Sequence, residues 1–105
     1  MEISFKIDGK MRTFSKDKIY FRDNIRAVKH QIIQGKYFEE ELNDPEKYEE
    51  MQADFCRMIA DIFNNEFSAE QLRDNFLLED REILEEIYIL ALGGTIKKET
   101  DEEKK

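Results

Sequence analysis

Histidine and cysteine, which often serve in catalysis and bind metals, occur once each in this chain of 105 residues, as His30 and Cys56. A metal or catalytic site needs several such side chains that converge. Neither residue has a partner at metal-ligand spacing, and the residue three before the histidine is Ala27, so the Glu-x-x-His pairs of di-iron bundles are absent. We predict no catalytic residue, no metal site and no cofactor, and we expect His30 on a helix surface.

Glycine-rich catalytic motifs are also missing. There is no phosphate-binding loop and no nucleophile turn, and the one glycine pair, Gly93 and Gly94, follows a helical pattern rather than opening one. The sequence therefore argues against an enzyme and leaves binding as the expected mode of action.

Acidic clusters are the next candidates, since 25 acidic residues against 17 basic ones give a formal net charge of −8. Such clusters could line a cation site or imitate a nucleic acid; they comprise Glu39, Glu40 and Glu41, then Glu49 and Glu50, then Glu82, Glu85 and Glu86. The ligand spacing of a calcium loop is missing, so a solvated surface is the favoured interpretation. The net charge should repel nucleic acid and anionic membranes, so we expect neither as a partner.

The single cysteine cannot form an internal disulfide, and its apolar neighbours suggest a buried thiol in a reducing compartment. No apolar run reaches the length of a membrane span, and the N-terminus lacks the apolar centre of a signal peptide. We expect the protein to act in the cytoplasm.

The pattern at the start of the chain predicts a β-hairpin. Residues 3–14 alternate between apolar and polar types around Asp8 and Gly9, a turn pair. A two-residue loop would place Phe14 beside Ile3 on the apolar face, whereas a three-residue loop would place Met11 and Thr13 there, and both registers stay open. A lone hairpin is marginal in water, so it must cover helices or another chain.

Four helical patterns follow the hairpin. Helix A is predicted over 22–38, with an apolar stripe that consists of Phe21, Ile25, Val28 and Ile32. The far side of this helix also carries Ile33 and Tyr37. Helix B is predicted to start at Asp44 and Pro45, with an apolar side that places Phe55 and Ile62 in the core. Its other side is charged, with Glu50, Asp54, Arg57 and Asp61.

Two shorter helices complete the pattern. Ser68 and Gln71 predict a capping box for helix C over 69–75. Asp80 is predicted to cap helix D, whose stripe ends before Gly93 and Gly94 and consists of Ile83, Leu84, Ile87, Leu90 and Ala91.

The predicted fold class is mainly α: a small helical domain of three to four helices with an N-terminal β-hairpin and a disordered charged C-terminal tail. Residues 1–94 should form one domain, and residues 95–105, with one apolar side chain, the tail.

Helix D carries more apolar residues than one small core can cover, because Tyr88, Ile89 and Leu92 widen its stripe almost all round. We predict that some of these residues face a partner, with Ile33 and Tyr37 as further candidates. A central helix D, wrapped by the other elements, is the alternative.

The order of these elements resembles a known family. The chain opens with FKIDGKMRTF as a hairpin and continues through MIADIFNNEFSAEQLRDNF to a last helix that ends in LALGG. This arrangement is similar to the small tail assembly chaperones of siphophages and prophages of Gram-positive hosts, over residues 3–94.

The resemblance implies a protein that binds the tape measure protein, keeps it soluble and helps to recruit the tail tube protein. It also implies a site of action in the host cytoplasm and absence from the mature virion. A homo-oligomer is left open. The alternative is an acidic phage-encoded inhibitor or adaptor that imitates nucleic acid.

Overall fold

The computed structural model describes residues 1–95, and the predicted tail lies outside them except for Thr95. A two-stranded hairpin precedes four α-helices, as predicted. The strands are β1 (Glu2–Ile7) and β2 (Lys10–Ser15), and the helices are α1 (Phe21–Glu40), α2 (Pro45–Ile62), α3 (Ala69–Asn75) and α4 (Arg81–Ala91).

The hairpin has the two-residue loop. Ile3 pairs with Phe14, and both side chains are buried, whereas Met11 is 62% exposed. Asp8 and Gly9 have φ angles of 54° and 79°, the left-handed values that a tight hairpin turn requires. The register is therefore the one that turns Phe14 towards the helices.

The buried face of the hairpin packs on α3 and the turn before it through a cluster of phenylalanine rings. The ring of Phe67 lies 4.8 Å from that of Phe14 and 5.2 Å from that of Phe5, centroid to centroid, and Phe76 lies 5.9 Å from Phe5. Tilted and edge-on pairs at these separations are favourable beyond the area that they bury. The hairpin thus covers helices of its own chain.

Local capping signals set the starts of α2 and α3. The Asp44 carboxylate accepts hydrogen bonds from two free amides at 3.0 and 3.3 Å, with Pro45 at the first helical position. Ser68 and Gln71 form the reciprocal capping box at 3.0 and 2.9 Å. Asp80 occupies the N-cap position of α4, as predicted, but its side chain accepts no capping hydrogen bond, and a 3-10 turn over Leu78–Asp80 leads into this helix.

The turn between α2 and α3 uses two left-handed asparagines. Asn64 and Asn65 have φ angles of 59° and 58°, and the amide of Asn65 donates to the carbonyl of Ala60 at 2.7 Å. Asparagine tolerates this conformation better than most non-glycine residues, so the chain reverses here without glycine.

Helix α2 supplies the centre of the core. Its residues Met58, Ile59 and Ile62 have no measurable exposure, while Phe55 is half-buried against the same core. Helix α4 packs against α1 and α2, and the hairpin packs on α3 rather than on α4. Helix α4 is therefore a flank of the bundle, and Ile83 of its predicted stripe is 40% exposed.

Candidate partner-binding surface

Helix α1 turns its apolar stripe away from the core. Phe21 is 80% exposed, Ile32 66% and Ile25 49%, while Val28 is half-buried. The four positions recur at spacings of four, three and four residues, so they lie along one line of the helix. We call Phe21, Ile25, Val28 and Ile32 the α1 strip.

The opposite side of α1 faces the core and is mostly polar. Asp23, Ala27 and His30 are at most 2% exposed. The expectation of a surface histidine was therefore wrong, because His30 lies between the rings of Phe55 and Tyr88, with centroid distances of 5.3 and 5.4 Å. An apolar side outwards and a polar side inwards is the reverse of the usual amphipathic arrangement.

A charged network between α1 and α2 makes this polar burial tolerable. Arg26 donates to Asp54 at 2.8 Å and to Asp61 at 2.9 Å, and His30 Nδ1 lies 3.0 Å from Asp54 Oδ2. Because the carboxylate can only accept, Nδ1 carries the proton of the neutral imidazole. Asp54 and Asp61, which the sequence placed on the outer side of helix B, thus face α1.

The network also fixes the charges of its members. Burial lowers the pKa of His30, and the hydrogen bond that His30 donates to Asp54 offsets this only in part. Burial alone would raise the pKa of Asp54, but hydrogen bonds from Arg26 and His30 outweigh it and the net pKa is lowered. A neutral histidine, a carboxylate and a guanidinium therefore satisfy one another inside the bundle.

A second buried ion pair holds the start of α1. Lys16 Nζ lies 3.2 Å from Asp23 Oδ2, with side chains only 6% and 3% exposed. The same carboxylate accepts from the amide of Tyr20 at 2.9 Å. These contacts fix the rotation of α1 about its axis, and with it the outward direction of the α1 strip.

A row of basic residues runs beside the α1 strip. Arg22, Lys29 and Lys36 are exposed and follow one another at intervals of seven residues, nearly two full turns. Lys29 and Lys36 form no ion pair with any residue in the described range 1–95. We call Arg22, Lys29 and Lys36 the basic row.

The residues predicted from sequence to bind a partner differ in exposure. Ile33 and Ile89 are 41% and 42% exposed, and Tyr88 and Leu92 are half-buried. Tyr37 is buried at 7% exposure, with its hydroxyl donating to the carbonyl of Leu42 at 2.9 Å.

The structure divides these residues between two open grooves. Tyr88 and Ile89 line a groove of about 300 Å³ among α1, α2 and α4, with His30 and Phe55 at its side. Ile33 and Tyr37 line another, of about 310 Å³, between α1 and α2. Leu92 lines neither of these two grooves.

Leu77 and Leu78 form a separate exposed apolar pair before α4, at 58% and 79% exposure. They precede and begin the 3-10 turn and belong to neither the α1 strip nor the core cluster. They therefore offer a matched control for substitutions on α1.

Residues 1–95 contain no group of three or more His, Cys, Asp or Glu side chains that could hold a metal ion. Cys56 is half-buried, and burial raises the pKa of its thiol, which stays protonated at neutral pH. Within the described helices, none has both the length and the apolar character that crossing a membrane requires.

Comparison with known proteins adds one finding to this geometry. Residues 1–105 match the family model described as phage tail chaperone protein. No curated protein and no solved structure gives a significant match.

Proposed function

The chain belongs to the phage tail chaperone family, and from that premise we propose that it binds the tape measure protein during tail assembly and keeps that protein soluble. It acts by protein binding rather than by catalysis, in the host cytoplasm, and is left out of the mature virion. By bringing the tape measure protein to the growing tail, it also helps to recruit the tail tube protein.

The observation that supports this proposal is the exposed apolar surface on α1, in a protein that buries a well-packed core elsewhere. The hairpin and most of α2 bury their apolar sides, yet α1 leaves four large apolar side chains at least 49% exposed: Phe21, Ile25, Ile32 and Phe38. Exposed apolar patches of this kind mark binding sites in soluble proteins. A surface of this character suits a protein that covers the apolar helices of an unassembled partner.

The second region that supports binding combines residues from the two grooves and the end of α4. Ile89 and Ile33 are partly exposed, Tyr88 and Leu92 are half-buried, and Tyr37 is buried. We retain these five residues as proposed partner contacts, with Ile89 and Ile33 as the accessible ones.

Co-expression with the tape measure protein of the same phage tests the proposal. The wild-type chain should raise the soluble fraction of the tape measure protein and remain bound through purification. The matched control is the Leu77→Ser/Leu78→Ser variant, which removes exposed apolar area elsewhere and should behave as wild type.

Failure of the wild-type chain to solubilise or retain the tape measure protein would contradict the proposal. The same preparation can then be tested for competition with DNA on DNA-handling host enzymes. Such competition, weakened by salt, is the expected behaviour of an acidic inhibitor.

A further inference from the structure

The α1 strip and the basic row form one surface whose charge is opposite to that of the whole molecule. Asp23 is the one acidic residue between Phe21 and Phe38, and it is buried against Lys16. Arg26 is occupied by Asp54 and Asp61. The exposed charges that border the α1 strip in this segment are therefore all positive, on a protein of net charge −8.

This charge pattern disfavours a second copy of the chain as the occupant. In a two-fold antiparallel pair of α1 helices, the two basic rows lie on the same side of the contact and repel. In a parallel pair, each basic row faces the opposite flank, where Asn24, Gln31 and Gly35 supply no carboxylate. Neither arrangement provides a counter-charge for Lys29 and Lys36.

We propose that the α1 strip is the docking site for an amphipathic α-helix of another protein, and that this helix carries a row of acidic residues beside its apolar line. The proposal rests on the proposed function in that the natural source of the helix is the tape measure protein. The apolar lines of the two helices pack together, and the acidic row lies against Lys29 and Lys36.

The dimensions of the site define the ligand. Phe21 and Ile32 are eleven residues apart, which is about 16 Å along a helix that rises about 1.5 Å per residue. A partner helix of about three turns covers that length. Its acidic residues must recur at intervals of about seven to match the basic row.

The experiment measures binding of the purified chain to two designed amphipathic peptides of about 20 residues with the same apolar line. One peptide carries Glu along the flank of that line and the other carries Lys. Overlapping synthetic peptides of the tape measure protein are measured in parallel, by fluorescence anisotropy.

Three variants separate the apolar and charged contributions. The Phe21→Ser/Ile25→Ser/Ile32→Ser variant should bind the Glu peptide at least about 100-fold more weakly, since three large apolar side chains lose their contact. Lys29→Glu/Lys36→Glu should weaken it about tenfold in low salt and reverse the preference towards the Lys peptide. Leu77→Ser/Leu78→Ser should bind within about twofold of wild type.

The outcomes distinguish this inference from the proposed function. If the strip variant binds tape measure peptides as wild type does, while Ile89→Ser/Leu92→Ser does not, the α1 site is wrong and the proposed function stands. If the wild-type chain binds the Glu peptide through the α1 strip but no tape measure peptide, the site is right and the proposed function fails. Equal binding of the Glu and Lys peptides would overturn the proposal that the partner helix is acidic.

If the Phe21→Ser/Ile25→Ser/Ile32→Ser variant melts at a lower temperature than wild type, its binding loss is not interpretable. The test then rests on Lys29→Glu/Lys36→Glu, which changes only exposed side chains: an unchanged preference for the Glu peptide would overturn the proposal.

Discussion

At the scale of single residues, Arg26 joins α1 to α2 through two ion pairs. Its side chain is 17% exposed and its guanidinium contacts two carboxylates, those of Asp54 and Asp61, whose side chains are 14% and 37% exposed. The sequence contained a signal for this network: Asp23, Arg26 and His30 recur at helical spacing, and Asp54 and Asp61 lie seven residues apart on the next helix. Composition alone led to the surface assignment of His30, because histidine without metal partners is usually exposed.

We predict that Arg26→Met lowers the free energy of unfolding by about 3 kcal/mol, because it leaves a partly buried carboxylate without its cation. Arg81→Met is the control. Arg81 pairs with Glu85 at 3.1 Å with both side chains at least half exposed, so its loss should cost below about 1 kcal/mol. Urea denaturation followed by circular dichroism measures both, and equal effects would show that the network contributes no more than a surface pair.

His30 should make stability depend on pH. Burial lowers its pKa in the folded protein, whereas in the unfolded chain it titrates near its ordinary value of about 6.5. As the pH falls through that value, the unfolded chain takes up a proton before the folded one, so stability decreases until the folded histidine also titrates. No other histidine is present to obscure this window.

The check is the melting temperature of wild type and His30→Gln between about pH 7.5 and about pH 5.5. Glutamine keeps a donor towards Asp54 but does not titrate. The decrease towards acid should be smaller in the variant, and parallel curves for the two proteins would exclude His30 as the cause.

At the scale of elements, the sequence predicts where most helices and strands begin and end. It does not predict which side of α1 faces the core. The capping residues Asp44, Ser68 and Gln71 act within one turn of chain, so their effect can be read locally. The hydrophobic pattern of α1 indicates only that one face contacts apolar surroundings. It does not show whether those surroundings belong to the same chain. The buried ion pairs of Asp23 and Arg26 turn the polar side of α1 towards the core and the apolar side outwards.

A matched pair of isoleucines tests this orientation. Ile62 on α2 has no measurable exposure, and Ile32 on α1 is 66% exposed. We predict that Ile62→Ala costs about 2 to 5 kcal/mol of stability, and that Ile32→Ala changes it by no more than about 0.5 kcal/mol. Denaturant midpoints measure the difference; a cost at Ile32 comparable to that at Ile62 would mean that the α1 strip is covered in the free protein.

At the scale of the whole molecule, charge opposes the association that the α1 strip would favour. The net charge of −8 makes copies of the chain repel one another near neutral pH. The sequence predicts an isoelectric point near 4.7, where this repulsion vanishes. An exposed apolar surface then promotes self-association.

We therefore predict turbidity on acidification to about pH 4.7, and less of it in the Phe21→Ser/Ile25→Ser/Ile32→Ser variant, whose titratable groups are identical. Light scattering during a pH titration measures this, with circular dichroism to verify that both proteins remain folded. Identical turbidity in the two proteins would place the associating surface outside α1.

Because the amphipathicity of α1 is reversed, its buried polar side contacts the rest of the bundle and its exposed apolar side is available for a partner. Asp23, Arg26 and His30 are buried or partly buried on one side of the helix, while the α1 strip lies on the exposed side, where substitutions are predicted to cost little stability. We therefore expect substitutions in the α1 strip to affect binding of the proposed partner more than folding. If the α1 strip binds the tape measure helix as proposed, we expect the two to vary together across related phages while the buried polar side of α1 stays fixed.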